Sequence, residues 1–362
     1  MKTNLTNDQL AYLAAQMNKV SRSFALVAPA VETPLNNYLA TAYLICRVID
    51  NIEDCTRPYS WQKERFTEFD YLLKNPAAAP DVLAQWEQEA WPGLSTNEAR
   101  MMTVSDGLPL WQIYGQIPEA FQSAIARWAL EMVHGMEKIL NPAENNMFVS
   151  RQGVQLPATE AGYDLYCYYV AGTVGHMITD LAILHYDLPE DVAARLDKNS
   201  QSSGRALQKT NIVKDFAEDL KRDVCYLPDE WLREVDYLPL SLRGAPLDWK
   251  YMVVANVLNE LEDSVNYILD LPYTAVGYRQ ASLLMLLPAY QTLLQAAQNH
   301  TSLFTPDHNV KISRQTMAQC LIDAQTLVSD NDALQTYSQA MHAQLDKAFE
   351  SDRITTTTQA DY

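Results

Sequence analysis

The stretch that decides the fold is NNYLATAYLICRVIDNIED, residues 36–54. Its middle, YLATAYLIC at residues 38–46, is mostly apolar, and its end carries three carboxylates, Asp50, Glu53 and Asp54. The spacing of the apolar residues predicts a helix of about five turns. Because Asp50 and Asp54 are four residues apart, they lie on one face of that helix, where their like charges repel. A cation is therefore expected to compensate them.

The same D-x-x-E-D spacing recurs in KDFAED, residues 214–219, as Asp215, Glu218 and Asp219. Oxygen ligands in loosely spaced pairs suit Mg²⁺, which keeps several waters and shares its other positions with phosphate groups. Two such helices facing each other, with Mg²⁺ between them, would grip a diphosphate. The six histidines are dispersed and form no H-E-x-x-H pattern, so a zinc site is not expected.

An acidic cluster on a helix is most often a solvated surface, and this chain has 45 acidic residues. The segment NELED, residues 259–263, misses the motif only because Asn259 stands where an aspartate would. The two motifs differ from it in context, because both sit in apolar helices and each has a basic neighbour, Arg47 or Lys214. One motif alone favours a plain surface, whereas the pair favours a function.

Composition and charge limit the class of protein. Only 11 of the 362 residues are glycine, which disfavours β-rich folds and favours a mostly helical one. A net charge of −18 argues against binding nucleic acid or anionic lipid through a basic face. The apolar runs fall short of the ~20 residues of a membrane span, and the N-terminus lacks the apolar segment of a secretory signal. We expect a cytoplasmic protein without a membrane anchor, whose five scattered cysteines are reduced.

The apolar periodicity predicts a single all-α domain over residues 1–350, followed by a polar tail, residues 351–362, that is expected to be disordered. Residues 74–83 are typical of a Pro/Ala linker and residues 141–162 of a polar loop. Besides the helix of the opening stretch, helices are predicted at residues 60–74, 118–140, 163–186, 202–223, 248–269, 275–298 and 312–349.

Residues 163–186 are apolar nearly all round, so this helix is expected in the middle of the protein. Gly172 and Gly175 lie inside it and lower its helix propensity by about 1 kcal/mol each. We therefore expect a neighbour or a ligand to approach closely at these two positions.

Both motifs, with their flanks, resemble the squalene/phytoene synthase family, and the resemblance covers nearly the whole chain. VSRSFALV (20–27) is similar to the family's N-terminal segment, YCYYVAGTVG (166–175) to its central tyrosine motif, and YLICRVIDNIED (43–54) and LQKTNIVKDFAED (207–219) to its two aspartate-rich helices. The D-x-x-E-D of the first motif and the QKTN before the second favour the squalene-forming branch over the phytoene branch.

This resemblance implies an all-α isoprenoid synthase fold with a central cavity. It also implies a reaction, in which two farnesyl diphosphates join head to head to give presqualene diphosphate, which NADPH then reduces to squalene. Mg²⁺ and NADPH are the implied cofactors. We expect a monomer that contacts a membrane surface only transiently, because its product is a lipid.

The resemblance also implies roles for particular residues. Asp50, Asp54, Asp215 and Asp219 would bind Mg²⁺ and so stabilise the charge on the departing diphosphate. Glu53 and Glu218 would complete the metal site or orient its waters and neighbouring basic groups. The diphosphate oxygens would be held by Ser21, Arg22, Ser23, Arg47, Gln208, Asn211 and Lys214.

Three further residues have implied roles. Tyr166 would act as general base or hydrogen-bond relay for the proton lost when the cyclopropane ring closes. A diphosphate oxygen could take that proton instead, because an ordinary phenol, with a pKa of about 10, is a poor base. Lys311 and Arg314 would bind the phosphate of NADPH.

Each role has a plainer alternative. Arg47 could form an ion pair with Asp50 or Asp54, and Ser21, Arg22 and Ser23 could be a helix cap with a surface arginine. A tyrosine such as Tyr166 most often only packs. Gln208 and Asn211 could join helices through hydrogen bonds, and Lys311 and Arg314 could simply be solvated.

The chain departs from the family before the second motif, where squalene synthases carry an arginine and this chain has Lys214, which cannot contact a phosphate through two parallel hydrogen bonds. Two alternatives stay open. One is a head-to-head synthase that stops at presqualene diphosphate, or forms dehydrosqualene or phytoene, without NADPH. The other is a non-catalytic helical protein whose acidic faces bind divalent ions or a partner.

Overall fold

The computed structural model describes residues 5–20, 27–236 and 242–359, with side chains as far as residue 350. In these residues the chain forms fifteen α-helices and one two-stranded antiparallel hairpin. In chain order the elements are α1 (Asn7–Val20), α2 (Leu35–Glu53), α3 (Tyr59–Lys74), α4 (Ala79–Trp86), α5 (Thr96–Arg100), α6 (Val104–Tyr114), α7 (Glu119–Leu140), β1 (Phe148–Arg151), β2 (Val154–Pro157), α8 (Glu160–Cys167), α9 (Thr173–Tyr186), α10 (Glu190–Leu220), α11 (Asp229–Glu234), α12 (Leu247–Asp270), α13 (Val276–Gln298), α14 (Arg314–Leu327) and α15 (Asn331–Gln359).

The contacts within the chain divide it into two compact units. The first comprises residues 1–145 and 173–193, and the second comprises residues 146–172 and 194–362. The expectation of one domain over residues 1–350 stays a prediction.

Helix α2 lies at the centre of the first unit. It packs against α7 and α9, which also pack against each other. Because its apolar residues face all directions, most of the helix is buried, and the charged side chains are confined to its last two turns. The opening stretch therefore forms the predicted helix, with its carboxylates at the C-terminal end.

The core of the second unit is a group of four helices. Helix α13 packs against α12, α14 and α15, and α12 also packs against α15. Helix α10 carries the second acidic motif near its C-terminal end. It begins at Glu190, twelve residues before the predicted start at residue 202. Glu190 and Asp191 in its first turn interact favourably with the positive end of the helix dipole.

The hairpin corrects the prediction of a loop at residues 141–162. Gln152 and Gly153 form its turn with φ values of 54° and 86°, which suits the two-residue turns that match the twist of paired strands. In β2, Val154 and Leu156 are buried and Gln155 between them is exposed, as period-two alternation requires. The same strand also bridges in parallel to Val224, just after the second motif.

Three other predictions of local structure need correction. The expected linker contains a 3₁₀ turn, Pro76–Ala78, followed by α4. The long helix expected at 312–349 is two helices, because the chain turns between Leu327 and Asn331. The expected helix at 163–186 is interrupted by a π-helical turn, Tyr168–Gly172, which separates α8 from α9.

The all-α prediction is confirmed for the described residues. All five cysteines are free and buried. Among these residues no helix has both the length and the apolar character that crossing a bilayer requires. Helix α15 reaches Gln359, within the tail for which the sequence predicted disorder.

Candidate active site

Four charged side chains meet at the C-terminal end of α2. One terminal nitrogen of Arg47 lies 3.3 Å from Oδ2 of Asp50. The other lies 3.6 Å from Oδ2 of Asp54 and 2.9 Å from Oε1 of Glu98. The four side chains are only 20% to 36% exposed, so water screens their charges weakly. The predicted ion pair of Arg47 with the motif is confirmed, and Arg47 is a cation that compensates both aspartates.

The surroundings of this cluster shift the pKa values of two carboxyls in opposite directions. Burial raises the pKa of Asp50 to about 6; Arg47 opposes the rise, whereas Asp54 and Glu98 add to it. Burial also acts to raise the pKa of Glu98, but hydrogen bonds with Ser95 and the charge of Arg47 outweigh it, so the net shift is downward. Glu98 therefore stays ionised at pH values at which Asp50 begins to take up a proton.

Sequence reasoning missed Glu98, which is distant from the motif in the chain. The spacing of Ser95 and Glu98 is that of a capping box, and the structure contains one at the start of α5. That signal could have located a helix start, but not the contact with Arg47. Glu53, the remaining acid of the motif, ends α2, and its backbone carbonyl accepts a hydrogen bond from Gln62 at 2.9 Å.

In the second motif the acids have separate basic partners. Nζ of Lys214 lies 3.1 Å from Oδ2 of Asp215 and donates to Oδ1 of Asn211 at 3.1 Å. Nζ of Lys221 is 2.9 Å from both carboxylate oxygens of Glu218. Asp215 and Glu218 thus each have their own lysine, whereas Asp50 and Asp54 of the first motif share the guanidinium of Arg47.

Asp219 is the most buried acid of the second motif, with a side chain only 10% exposed. Its Oδ1 accepts a hydrogen bond from Arg222 at 2.7 Å. Burial raises the pKa of Asp219 in spite of this contact. In contrast, the hydrogen bonds from Lys221 and Asn309 lower the pKa of Glu218. Arg222 lies in the turn that follows the end of α10, three residues after Asp219.

Gln208, Asn211, Asp215 and Asp219 form a stripe along one side of α10. Their spacings of three and four residues place them on the same helix face. Gln208, Asn211 and Asp215 are at least partly accessible, and Asp219 ends the stripe in a more buried position. The helix thus presents amide, carboxylate and ammonium groups together, as a site for a hydrated metal and a phosphate requires.

The segment before α14 contacts the second motif. The backbone nitrogen of Val310 donates to the carbonyl of Lys214 at 3.3 Å, and the side chain of Asn309 donates to Glu218 at 2.9 Å. Lys311 contributes to the downward shift of the pKa of Glu218, after Lys221 and Asn309. The structure therefore brings one of the two residues expected to bind NADPH close to the second motif. Arg314 is the exposed first residue of α14.

Tyr166 lies on α8 with its side chain almost buried between other aromatic rings. Its ring stacks on that of Tyr226, with centroids 4.6 Å apart, and meets the edge of Phe148 at 5.7 Å. Phe148 belongs to the hairpin, and Tyr226 follows α10 closely in the chain. These contacts hold the ring of Tyr166 in one orientation, which both packing and a proton relay require.

A buried ion-pair network ties α8 and α12 to α10. Lys209 is only 1% exposed, and its Nζ lies 2.6 Å from Oδ1 of Asp164, 2.9 Å from Oε1 of Glu260 and 2.8 Å from Oδ1 of Asn256. Arg205 reaches the same oxygen of Glu260 at 2.7 Å. Sequence reasoning assigned no role to Lys209, although it stands between two of the predicted site residues.

The π-helical turn approaches α10 at two glycines. A Cβ atom on Gly204 would lie 2.2 Å from the carbonyl oxygen of Ala171, and one on Gly172 would lie 2.9 Å from the ring of Tyr168 and 3.4 Å from Gln201. The close approach predicted at Gly172 is confirmed, and Gly204 is its counterpart on α10.

The predicted site residues fall into three groups. Asp50, Glu53, Asp54 and Arg47 belong to the first unit, whereas Tyr166, Gln208, Lys311, Arg314 and the second motif belong to the second unit. Ser21, Arg22 and Ser23 lie outside the described residues. That both motifs serve one metal–diphosphate site stays a prediction.

The donor sets fit Mg²⁺. Each motif offers two aspartates one turn apart, with oxygen as the only ligand atom, and each is flanked by a cation that could also face a phosphate. Within the described residues no group of three or more His, Cys, Asp or Glu side chains is arranged to hold a metal ion. Two carboxylates for each ion suit Mg²⁺ nevertheless, because waters and substrate phosphates supply the other positions.

A family model described as squalene/phytoene synthase matches residues 17–316, which contain both acidic motifs and Tyr166. The chain belongs to the squalene/phytoene synthase family. The family predicted from the motifs is therefore confirmed.

Curated relatives in this family are squalene synthases of modest identity. That of Cyberlindnera jadinii is 26% identical over 341 residues, covering 90% of this chain and 70% of the relative. That of Eremothecium gossypii is 31% identical over 232 residues, covering 61% and 47%. Squalene synthase ERG9 of Candida albicans is 28% identical over 239 residues, covering 66% and 49%. The chain thus spans about half of the length of several curated relatives that it matches.

Solved structures support the fold. A structure of TcSQS in complex with the ligand E5700 aligns over 96% of this chain and 99% of its own, with a TM-score of 0.75 and 24% identity. A dehydrosqualene synthase in complex with a ligand aligns over 89% and 96%, with a TM-score of 0.55 and 17% identity. The isoprenoid synthase fold predicted for this family is confirmed.

Proposed function

We propose that this chain is a prenyltransferase of the squalene synthase type, which joins two farnesyl diphosphates head to head in the presence of Mg²⁺. In the first half-reaction one diphosphate and one proton leave, and presqualene diphosphate forms. In the second half-reaction the other diphosphate leaves, and a hydride from NADPH completes squalene. We further propose that the protein acts as a cytoplasmic monomer and passes its lipid product to a membrane surface.

The observation that carries this proposal is the arrangement of Asp50 and Asp54. They lie one turn apart at the end of a buried helix and share the guanidinium of Arg47. The family match spans both this cluster and the second motif. An acidic cluster on a solvated face would not need a half-buried arginine held by three carboxylates, so the arrangement favours a binding site over a plain surface.

When bound, Mg²⁺ would neutralise the negative charge that develops on a departing diphosphate. Asp50 and Asp54 would hold it in the first unit, and Asp215 and Asp219 in the second. Glu53 and Glu218 would orient its waters or the nearby basic groups.

The basic and amide side chains would hold the diphosphate itself. Arg47 and Lys214 carry the positive charges beside the motifs, and Gln208 and Asn211 add amide donors on α10. Ser21, Arg22 and Ser23 are proposed to add further donors, on the basis of the sequence alone.

Tyr166 is proposed to hold or pass on the proton released when the cyclopropane ring closes. Its fixed orientation between Tyr226 and Phe148 supports this role. A diphosphate oxygen remains the alternative acceptor, and replacement by phenylalanine separates the two. Tyr166→Phe would abolish ring closure if the phenol carries the proton and would leave it nearly unchanged if it does not.

Lys311 and Arg314 are proposed to bind the phosphate of NADPH. The position of Lys311 near Glu218 supports a cofactor phosphate close to the second motif. A synthase that stops at presqualene diphosphate, or that makes dehydrosqualene or phytoene, would not need these residues, so they mark the difference between the two candidate functions.

The test is incubation of the purified chain with farnesyl diphosphate and Mg²⁺, with and without NADPH, followed by identification of the products. Squalene that forms only with NADPH would support the proposal. Dehydrosqualene, phytoene or presqualene diphosphate as the end product in both conditions would favour the alternative synthase. Absence of pyrophosphate release under all conditions would overturn both.

Variants link the activity to the motifs. Asp50→Asn and Asp219→Asn are each expected to slow pyrophosphate release by about a hundredfold or more, as happens when one group that stabilises developing charge is removed. Asp263→Asn, in the NELED segment that only resembles the motif, is the matched control and should leave the rate unchanged. A non-catalytic protein would release no pyrophosphate, with or without these substitutions.

A further inference from the structure

Glu98 is the acid that holds Arg47 most closely, although it belongs to neither motif. Its Oε1 accepts a hydrogen bond from Arg47 at 2.9 Å, whereas Asp50 is at 3.3 Å and Asp54 at 3.6 Å. Arg47 and Glu98 are joined across 51 positions of sequence, so the contact depends on the fold of the first unit and not on a helical repeat.

The carboxylate of Glu98 is itself held in place. Its Oε2 accepts a hydrogen bond from the backbone nitrogen of Ser95 at 2.8 Å, and the hydroxyl of Ser95 accepts one from the backbone of Glu98. The carbonyl oxygen of Glu98 accepts a further hydrogen bond, at 3.2 Å, from Asn51, a fully buried residue of α2. Hydrogen bonds therefore fix both the carboxylate and the backbone carbonyl of Glu98, and the second of these joins α5 to α2.

This geometry matters because Arg47 competes with any metal for Asp50 and Asp54. A guanidinium that moved fully onto the two aspartates would occupy the oxygens that a cation needs. Glu98 holds one terminal nitrogen of Arg47 at 2.9 Å, closer than either aspartate does, and so limits how far the guanidinium can move onto them. It also leaves Arg47 close enough to contact an anion that binds beside the metal.

We propose that Glu98 is a positioning residue for the first motif: it anchors Arg47 so that Asp50 and Asp54 remain available to a divalent cation. This inference rests on the proposed function, in which these two aspartates bind Mg²⁺. Glu98 acts through Arg47, so its removal should matter only where Arg47 is present.

The test is a double-mutant cycle read out by binding of Mn²⁺ alone, which prefers the same oxygen ligands as Mg²⁺ and whose free ion is counted by electron paramagnetic resonance. The binding assigned to the first motif is the part that Asp50→Asn removes. Glu98→Gln is expected to weaken that part by about tenfold, and by less than about twofold when Arg47→Gln is also present, a coupling usual for residues in contact. Glu87→Gln, which removes an exposed acid of the same unit, is the control for net charge.

Each outcome decides the proposal. Equal weakening by Glu98→Gln in both backgrounds would mean that Glu98 acts by its own charge, and unchanged binding would mean that it has no role; either result overturns the inference while leaving the proposed function intact. Binding that Asp50→Asn does not reduce would overturn the metal assignment and the inference with it. If Glu98→Gln fails to fold, Glu98→Asp keeps the charge but shortens the reach to Arg47, and unaltered binding in that variant would also overturn the proposal.

Discussion

Nζ of Lys209 lies 2.6 Å from Oδ1 of Asp164 in a place where Lys209 is 1% exposed. The ammonium group also contacts Glu260 and lies 4.9 Å from the centre of the ring of Tyr163. This single side chain joins the helix that carries Tyr166 to the helix that carries the second motif. Its loss would leave the carboxylate of Glu260, whose side chain is only 12% exposed, without one of its partners.

Lys209→Met is expected to lower the free energy of unfolding by about 3 kcal/mol, because removing one partner of a buried ion pair leaves the other charge poorly compensated. Arg205, which also contacts Glu260, limits the loss. The measurement is urea denaturation followed by circular dichroism. Lys198→Met, at an exposed position of the same helix, is the control and should change stability by less than about 0.5 kcal/mol. Equal stabilities of the two variants would contradict a structural role for the network.

The loss of unfolding free energy in Lys209→Met should also depend on pH. Burial raises the pKa of Glu260 above its ordinary value, although Lys209 and Arg205 oppose the rise. A raised pKa means that the folded state binds the proton more tightly than the unfolded state, so the associated stability is present at low pH and is lost as pH rises through the folded pKa. Without Lys209 the pKa of Glu260 should rise further. The stability gap between Lys209→Met and the unaltered chain should therefore narrow from about pH 8 to about pH 5. A gap that widened on acidification would contradict this assignment.

Arg279 is fully buried and connects the ends of α12 and α14 to the start of α15. Its guanidinium donates to the carbonyls of Ile268 and Leu271 at 2.6 Å each, to the carbonyl of Val328 at 2.8 Å and to Oδ1 of Asn331 at 2.7 Å. The three carbonyl acceptors lie at the C-terminal ends of α12 and α14, where carbonyl groups lack the donor four residues further along the chain. Oδ1 of Asn331 lies at the start of α15.

Arg279→Met is expected to destabilise the chain by about 3 kcal/mol or more, because several buried acceptors lose their donors at once. Arg279→Lys should recover less than half of that loss, since an ammonium group offers its donors from a single point and cannot span the separate helix ends. Thermal unfolding of the two variants checks the order. Full recovery by lysine would show that charge, and not the planar fork, holds the helix ends.

Gly204 and Gly172 should differ in their tolerance of a methyl group. The Cβ of Gly204→Ala would meet a backbone carbonyl, which cannot move without displacing the π-helical turn, whereas the nearest atom to the Cβ of Gly172→Ala belongs to the side chain of Tyr168. We expect a loss of about 3 kcal/mol for Gly204→Ala and about 1 kcal/mol for Gly172→Ala, within the usual range for overpacking. Chemical denaturation compares them, and the reverse order would contradict the described packing.

The sequence predicted the helices that have strong apolar periodicity, and it predicted which acids lie together within each motif, because both depend on neighbours along one helix. Residues 163–186 show the limit of such reasoning. Their apolar character predicted a buried helix, but the π-helical turn lies against α10 at Gly204, a long-range contact that no local pattern encodes. The hairpin had a signal in the Gln152–Gly153 turn, but the polar residues around it favoured a loop.

In the candidate site, too, contacts along one helix could be predicted and contacts between distant segments could not. The ion pair of Arg47 with Asp50 follows from a three-residue spacing, whereas its contact with Glu98 depends on the packing of α5 against α2. The burial of Lys209 was not predicted for a similar reason. A lysine in an otherwise polar segment gives no sign of burial, and its partners Asp164 and Glu260 come from two other helices.

Lys214 provides a test of how the second motif binds substrate. Its Nζ lies between Asp215 and Asn211, at 3.1 Å from each, and its side chain is about one third exposed, so it can turn towards an incoming diphosphate. Lys214→Met is expected to raise KM for farnesyl diphosphate by about tenfold with a smaller change in kcat, because a contact made equally in the ground and transition states affects mainly binding. Lys214→Arg should lower KM, since a guanidinium can contact a phosphate through two parallel hydrogen bonds.

Lys221→Met is the matched control, because Lys221 already contacts both oxygens of Glu218. Steady-state kinetics of pyrophosphate release separate the three variants, and an equal effect of Lys214→Met and Lys221→Met would show that only the net charge of the motif matters.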